Sequence, residues 1–185
     1  MSAALLLIDI QNDYFPGGTM ELAAAAAAAD RAAALLAACR GKGLPVFHVQ
    51  HLSTRPGASF FLPGTPGCQI HAAVAPLEGE AVITKHYPNS FRETTLLEQL
   101  RGAGITELVI AGMMTHMCVD STVRAAADLG YACTLAHDAC ATRDLSFAGK
   151  TIAAAQVHSA FVAALHGLFA KAAAAAEIAA ALKDD

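Results

Sequence analysis

Charged residues are scarce in this 185-residue chain, where Asp, Glu, Lys and Arg together make up 15% and hydrophobic residues 55%. This composition excludes a disordered segment and indicates a folded domain with a sizeable core. Basic residues are too few to balance the acidic ones, and the net charge of −4 argues against a nucleic acid or an anionic membrane as partner. Long apolar runs are missing too, because Asp30 and Arg31 interrupt the alanine tract at 23–29. We therefore expect no segment to span a bilayer.

Signals for export and for disulfide bonding are also lacking. The N-terminal run SAALLLIDI has no basic residue and carries Asp9, which predicts a strand and not a signal peptide. The five cysteines are odd in number, and no two of them form a C-x-x-C pair. This pattern favours reduced thiols, so we expect a cytoplasmic protein.

Turn-forming residues separate segments of strand and helix character without a repeat or a linker, so we expect one domain over residues 1–185. Apolar and β-branched runs predict strands at 4–10, 46–52, 81–85, 106–112 and 131–138. Helical patterns predict helices at 21–40, 117–129 and 150–166. Another helix ends near Gly102 or Gly104, and a capping box starts it at Thr95 or at Ser90. The tail segment LFAKA at 168–172 fits either a sixth strand or a helix.

Apolar strands that alternate with helices predict a parallel sheet covered on both faces. In such sheets a ligand binds at the carboxyl ends of the strands, where the strand order reverses. Asp9 lies near the end of the first strand and Lys85 at the end of the third, while Cys118 follows the fourth in the first turn of its helix. We therefore expect these three side chains to meet at one edge of the sheet.

The three side chains suit nucleophilic catalysis. The helix N-terminus and Lys85 are expected to lower the pKa of the Cys118 thiol, and Asp9 to accept its proton and pass it to a leaving group. Backbone N–H groups between Gly112 and Cys118 are expected to form an oxyanion hole. Taken singly, Cys118 also fits a small core residue, Lys85 a solvated charge and Asp9 a helix cap. Their shared location at the strand ends favours catalysis.

Three segments, LLLIDIQNDY, KHYPNSF and GMMTHMCVD, carry a family resemblance. In order and spacing they resemble the signature segments of the isochorismatase-like cysteine hydrolases, which include nicotinamidases, carbamoylsarcosine hydrolases and streptothricin hydrolases. The resemblance extends from Leu5 to about Ala170. It implies a three-layer α/β/α Rossmann-like sandwich with a six-stranded, mainly parallel sheet, and so it favours the strand interpretation of LFAKA.

The resemblance also implies roles for individual residues. It implies a catalytic triad of Asp9, Lys85 and Cys118, and an oxyanion hole formed by the backbone N–H groups of Met114 and Cys118. It further implies a cis peptide bond between Met113 and Met114. Family members are often dimers or tetramers, and a mean hydropathy of +0.44 predicts a homo-oligomer here as well.

Side chains on the predicted loops are expected to surround the substrate. The aromatic and imidazole groups there suit a flat or partly apolar molecule, although each is also compatible with covering the core. The predicted substrate contacts are Phe15, His51, Phe60, Tyr87, Phe91 and His116. Gln11 and Asn12 are expected to support Asp9 from behind.

No metal and no other cofactor is expected. His48 and His51 are three residues apart on a predicted strand, so their side chains point to opposite faces. The segment after that strand also lacks the Asp-x-His that nicotinamidases carry, which argues against a metal-binding site.

The sequence thus predicts a hydrolase that cleaves a C–N bond of a small amide, lactam or ureido compound through a thioester on Cys118. One alternative is hydrolysis of a vinyl ether, as isochorismatases perform, but those enzymes commonly lack the cysteine. Another is a non-catalytic scaffold that retains the fold, for which a broken triad would be expected.

Overall fold

Six parallel strands form the central sheet of the protein, seen in a computed structural model that describes residues 2–182. The strands of the chain, in order, are β1 (Ala3–Ile8), β2 (Val46–His51), β3 (Ala81–Lys85), β4 (Glu107–Met113), β5 (Ala132–Ala141), β6 (Leu145–Phe147), β7 (Lys150–Ile152) and β8 (Lys171–Ala173). The sheet order is β3-β2-β1-β4-β5-β8, while β6 and β7 pair separately as an antiparallel hairpin. The predicted six-stranded parallel sheet is confirmed.

Helices cover both faces of this sheet and give it three layers. They are α1 (Ala25–Gly41), α2 (Leu96–Gly102), α3 (Asp120–Asp128), α4 (Ala154–Leu165) and α5 (Ala175–Ala181). Because side chains alternate along a strand, Leu5 and Leu7 of β1 pack in the core cluster of α1 and α5. Leu6 and Ile8 pack in the opposite cluster, with α2, α3 and Leu165 of α4. A strand buried on both faces explains the uninterrupted apolar run.

Several predicted element boundaries are wrong, and each error has a local cause. The helix predicted from residue 150 begins at Ala154, because Lys150–Ile152 pairs with Leu145–Phe147. Both turn residues of that hairpin, Ala148 and Gly149, have positive φ, as a type I′ turn requires. The helix start predicted at Thr95 is right, since Thr95 is the N-cap of α2, but in the described chain its side chain makes no capping bond and instead accepts from Gln99 Nε2 at 2.9 Å.

The tail adopts the strand alternative. Lys171–Ala173 pairs in parallel with Thr134–Ala136 of β5, and the chain then forms α5. Among the helices of residues 2–182, none has the length and apolar character needed to cross a bilayer.

The strand order reverses at β1, whose two neighbours are β2 and β4. β4 approaches β1 closely at this point, because a Cβ on Gly112 would lie 2.1 Å from the Ile8 carbonyl oxygen, and Gly112 has φ of +143°. Only glycine fits both constraints. The carboxyl ends of β1 and β4 are thereby held side by side at the edge where a ligand is expected.

Candidate active site

Asp9, Lys85 and Cys118 lie together at this edge of the sheet. Lys85 Nζ is 2.7 Å from Asp9 Oδ2 and 3.2 Å from Cys118 Sγ, and all three side chains are buried. Asp9 directly follows β1 and has φ of +51°, a left-handed conformation that aspartate tolerates better than most residues. The predicted convergence of three strand ends therefore occurs, at hydrogen-bonding distances.

Four groups that can accept a hydrogen bond surround the three N–H groups of the Lys85 ammonium. Besides Asp9 and Cys118, it lies 2.9 Å from His51 Nδ1 and donates to the Tyr87 carbonyl at 3.1 Å. With more acceptors than protons, the ammonium can turn toward whichever partner carries the most negative charge. This arrangement suits a group that must stabilise a charge moving between Asp9 and Cys118.

The prediction that the pKa of Cys118 is lowered is wrong. Burial raises the pKa of the Cys118 thiol well above its usual value, and the negative charge of Asp9 raises it further, while Lys85 works in the opposite direction. Cys118 also lies in a π-helical turn, Thr115–Val119, and the α-helix begins only at Asp120. Cys118 therefore rests as a thiol.

Asp9 is suited to take the proton of that thiol. Burial raises the pKa of its carboxyl above the ordinary value, against the effect of Lys85. Burial lowers the pKa of Lys85, but the interactions with Asp9 and Cys118 raise it by more. The net pKa of Lys85 is raised, so the ammonium persists. Neither Asp9 oxygen makes a hydrogen bond of good geometry within residues 2–182, so the contact with Lys85 is an ion pair. Moving one proton from Cys118 to Asp9 leaves the net charge of the buried triad unchanged, which avoids a desolvation cost.

The segment between β4 and Cys118 contains the predicted oxyanion donors. The peptide bond between Met113 and Met114 is cis. Within the described part of the chain the Met114 N–H has no hydrogen-bond acceptor, and both Met114 and Cys118 line the cavity beside the triad. A free N–H in the same cavity as the sulfur is what a developing oxyanion would require.

A cavity of about 190 Å³ opens onto Cys118. Three of the predicted substrate contacts line it: His51, Phe60 and Tyr87. Its volume lies below the roughly 300–1,000 Å³ of pockets for drug-sized ligands, so it suits a small substrate.

Three other predicted contacts lie outside the cavity lining. Phe15 is buried and stacks on His71 at 3.7 Å between ring centroids, while Phe91 stacks on Tyr131 at 6.2 Å. His116 bonds to Thr142 Oγ1 through Nδ1. Their positions in the sequence gave no means of distinguishing a wall of the cavity from the packing behind it.

Gln11 and Asn12 bond to backbone groups at the end of β2 and in the loop after it, and not to the Asp9 carboxylate. The side-chain amide of Gln11 donates to the carbonyls of His51 and Cys68, at 2.9 and 2.8 Å, and accepts from the His51 N–H at 2.8 Å. Asn12 donates to the Pro66 carbonyl at 2.9 Å. Both therefore attach the loop after β2 to the loop after β1.

Tyr14 and Arg55 were not predicted from the sequence as residues of the cavity wall, and neither were the contacts that hold Phe61 in place. Tyr14 and Phe61 pack ring to ring at 4.6 Å and line the cavity, as does Arg55. Asp13, which is buried, accepts from the Phe61 N–H at 2.6 Å and from Thr19 Oγ1 at 2.8 Å. A Cβ on Gly67 would lie 2.1 Å from Asp13 Oδ1, so this glycine permits the close packing. An aspartate among turn formers was the one available signal, and it does not identify its distant partners.

The two histidines of β2 point to opposite faces of the sheet, as their spacing predicts. His48 points away from the site and bonds through Nε2 to Glu80 Oε2 at 2.9 Å, and Arg40 pairs with the same carboxylate. One potential metal-ligand group exists within residues 2–182: donor atoms of Asp9, His51 and Cys118 all lie within 4.8 Å of one another. Lys85 Nζ contacts all three, so a protein cation already neutralises this group.

All five cysteines are free and buried. Burial raises the pKa of the Cys140 thiol to about 12. Among the described residues, Cys118 is the one cysteine that lines the cavity.

Comparison with known proteins agrees with this geometry. A sequence model of the isochorismatase domain matches residues 3–176. The isochorismatase family protein YddQ of Bacillus subtilis is 53% identical over 170 residues, covering 92% of this chain and 94% of YddQ. A streptothricin hydrolase of Streptomyces noursei is 40% identical over 142 residues, 77% of this chain and 50% of that protein. The maleamate amidohydrolase of Pseudomonas putida is 31% identical over 142 residues, 69% of this chain and 67% of that enzyme.

A solved structure shares the whole fold. The isochorismatase hydrolase of Oleispira antarctica superposes with a TM-score of 0.94 and 55% identity, covering 97% of this chain and 96% of the other.

Proposed function

The chain belongs to the isochorismatase family of hydrolases, and on that premise we propose that it cleaves a C–N bond of a small molecule through a thioester on Cys118. An amide, a lactam or a ureido group is the proposed target. The observation that carries the proposal is the buried contact of Lys85 Nζ with both Asp9 and Cys118, at the floor of a cavity.

The proposed first step forms the thioester. Asp9 takes the thiol proton as Cys118 Sγ attacks the carbonyl carbon, and the carbonyl oxygen becomes an oxyanion beside the N–H groups of Met114 and Cys118. The C–N bond then breaks as the nitrogen takes the proton back from Asp9, so the leaving group departs as a neutral amine or ammonia.

The proposed second step restores the enzyme. Asp9, again a carboxylate, accepts a proton from a water molecule, whose oxygen attacks the thioester carbon. The C–S bond breaks, a carboxylic acid is released (a carbamic acid where the substrate is a ureido compound), and the thiolate recovers its proton from Asp9. Throughout both steps Lys85 stays positive and stabilises whichever of Asp9 and Cys118 carries the negative charge.

Turnover of amides is the direct test. Incubation with a panel of primary amides, lactams and ureido acids, with ammonia or amine release as the readout, should identify substrates. The Cys118→Ala variant should release nothing above background. Isochorismate in the same panel tests vinyl-ether hydrolysis, and a complete lack of turnover with every compound would favour a scaffold role.

The triad is proposed to work without a metal or other cofactor, because Lys85 supplies the positive charge that a bound metal would supply elsewhere. We also place the protein in the cytoplasm, where its five free thiols would stay reduced.

Self-association completes the proposal. Phe147, in the β6–β7 hairpin, is 80% exposed, and Leu168 before β8 is 81% exposed. Large apolar side chains this open to water indicate a contact surface. We expect light scattering at micromolar concentration to report a dimer or tetramer, and the Phe147→Glu/Leu168→Glu double variant to shift it toward the monomer. A wild-type protein that stays monomeric over the whole concentration range would contradict this.

A further inference from the structure

A strip of hydrogen-bond donors lies along one wall of the cavity. His51 ends β2, and Ser53 and Arg55 follow it in the loop at intervals of two residues. All three line the cavity, together with Cys118. We call His51, Ser53 and Arg55 the donor strip.

His51 contributes a neutral N–H donor to this strip. Its Nδ1 lies 2.9 Å from Lys85 Nζ, and an ammonium can only donate, so Nδ1 is the acceptor and the ring proton sits on Nε2. Burial lowers the pKa of His51 to about 3, assisted by the positive charges of Lys85 and Arg55, so the ring stays neutral at ordinary pH. Nε2 has no hydrogen-bond partner within residues 2–182, which leaves its N–H available to a ligand.

Arg55 contributes a positive charge that the described chain does not neutralise. Arg31, Arg40, Arg92 and Arg124 each have a carboxylate partner within ion-pairing distance, while Arg101 and Arg143 have none among residues 2–182 and do not line the cavity. For Arg55 no such partner is found among residues 2–182, and no carboxylate lines the cavity in that part of the chain. The guanidinium is exposed, which makes it accessible to a bound anion.

We propose that the donor strip binds a carboxylate, so that the substrates are small amides that also carry a carboxylate group, with Arg55 as the residue that selects them. This inference rests on the proposed function and adds the substrate class to it. The wall offers an N–H, a hydroxyl and a guanidinium, a set complementary to carboxylate oxygens. The small cavity brings the carboxylate within a few bonds of the carbonyl that Cys118 attacks.

Three pairs of compounds test the charge requirement without changing the reacting amide. The monoamides malonamate, succinamate and glutaramate each have a neutral diamide of nearly the same shape, in which a second amide replaces the carboxylate. Binding to the Cys118→Ala variant, measured by calorimetry, is independent of turnover. At least one monoamide should bind about tenfold or more tightly than its diamide, and added salt should weaken the preference.

Variants then assign the preference to Arg55. In the wild-type background, Arg55→Gln should lower kcat/KM for the preferred monoamide about 10- to 100-fold, mainly through KM, and bring the monoamide-to-diamide ratio close to one. Arg55→Lys should retain part of the preference, because it keeps the charge but loses the planar fork. Arg101→Gln, which removes an exposed arginine on α2, is the matched control and should keep the wild-type ratio.

The outcomes separate this inference from the function on which it rests. Equal binding of monoamides and diamides, or a preference that survives in Arg55→Gln, overturns the carboxylate site. If neutral amides are nevertheless hydrolysed in a Cys118-dependent way, the proposed function stands. Selective binding of a monoamide that wild-type enzyme never hydrolyses would support the carboxylate site and count against the proposed function.

Discussion

Replacing Asp9 by asparagine should make Cys118 more acidic and yet abolish turnover. The negative charge of Asp9 is one of the causes that raise the thiol pKa, while Lys85 lowers it. Without Asp9, the Lys85 ammonium is left with the sulfur as its remaining partner able to become an anion, and the pKa of Cys118 should fall. Turnover should nevertheless fall about 10³-fold or more, because the leaving nitrogen has lost its proton donor.

Two measurements on the Asp9→Asn variant distinguish these effects. The ultraviolet absorbance of the thiolate, followed against pH, should titrate at lower pH than in the wild type. Alkylation by iodoacetamide below neutral pH should be faster than in the wild type, while amide hydrolysis is lost. Asp128→Asn, an exposed substitution on α3, should behave as the wild type in both assays. An Asp9→Asn enzyme that kept turnover within tenfold would remove Asp9 from the proton transfer.

The sheet and the positions of the triad residues could be predicted from the sequence because they follow from short-range rules. Continuous apolar runs predict strands buried on both faces, and strand ends in a parallel sheet meet at one edge. Asp9 and Lys85 directly follow or end such strands, and Cys118 lies five residues beyond β4. Their contacts could be anticipated without knowing how any loop folds.

The wall of the cavity and the pKa of the Cys118 thiol could not be predicted from the sequence, because both depend on long-range packing. Phe61 packs on Tyr14, and its N–H donates to the neighbouring Asp13, a contact across 48 residues that no local pattern encodes. The pKa of Cys118 depends on how completely water is removed from the sulfur, and burial outweighs the expected effect of Lys85. Residue type and spacing indicate which groups meet, but the degree of desolvation comes from the packed structure.

Replacing Lys85 by methionine should cost stability as well as activity. Lys85 and Asp9 are both fully buried and form a 2.7 Å ion pair. Removing one partner leaves an uncompensated charge, which typically lowers the free energy of unfolding by about 3–5 kcal/mol. Asp9→Asn should cost less than this, since Cys118 can ionise to pair with the ammonium. The Asp9→Asn/Lys85→Met double variant, which is neutral, should recover most of the stability lost in Lys85→Met and none of the turnover.

The stability of the Lys85→Met variant should also depend on pH in a direction that can be predicted. Burial already raises the folded-state pKa of Asp9, and loss of Lys85 removes the main influence that lowers it. In Lys85→Met the folded protein therefore binds a proton at Asp9 at pH values where the unfolded chain does not. Its free energy of unfolding should rise as the pH is lowered from about 8 toward 5, relative to the wild type. The double variant has no Asp9 carboxyl to titrate, so this added dependence should disappear. Denaturant unfolding at several pH values, with the exposed Lys42→Met substitution as control, measures both effects. A Lys85→Met protein as stable as the wild type at every pH would mean that the ammonium and the Asp9 carboxylate do not form a buried charged pair.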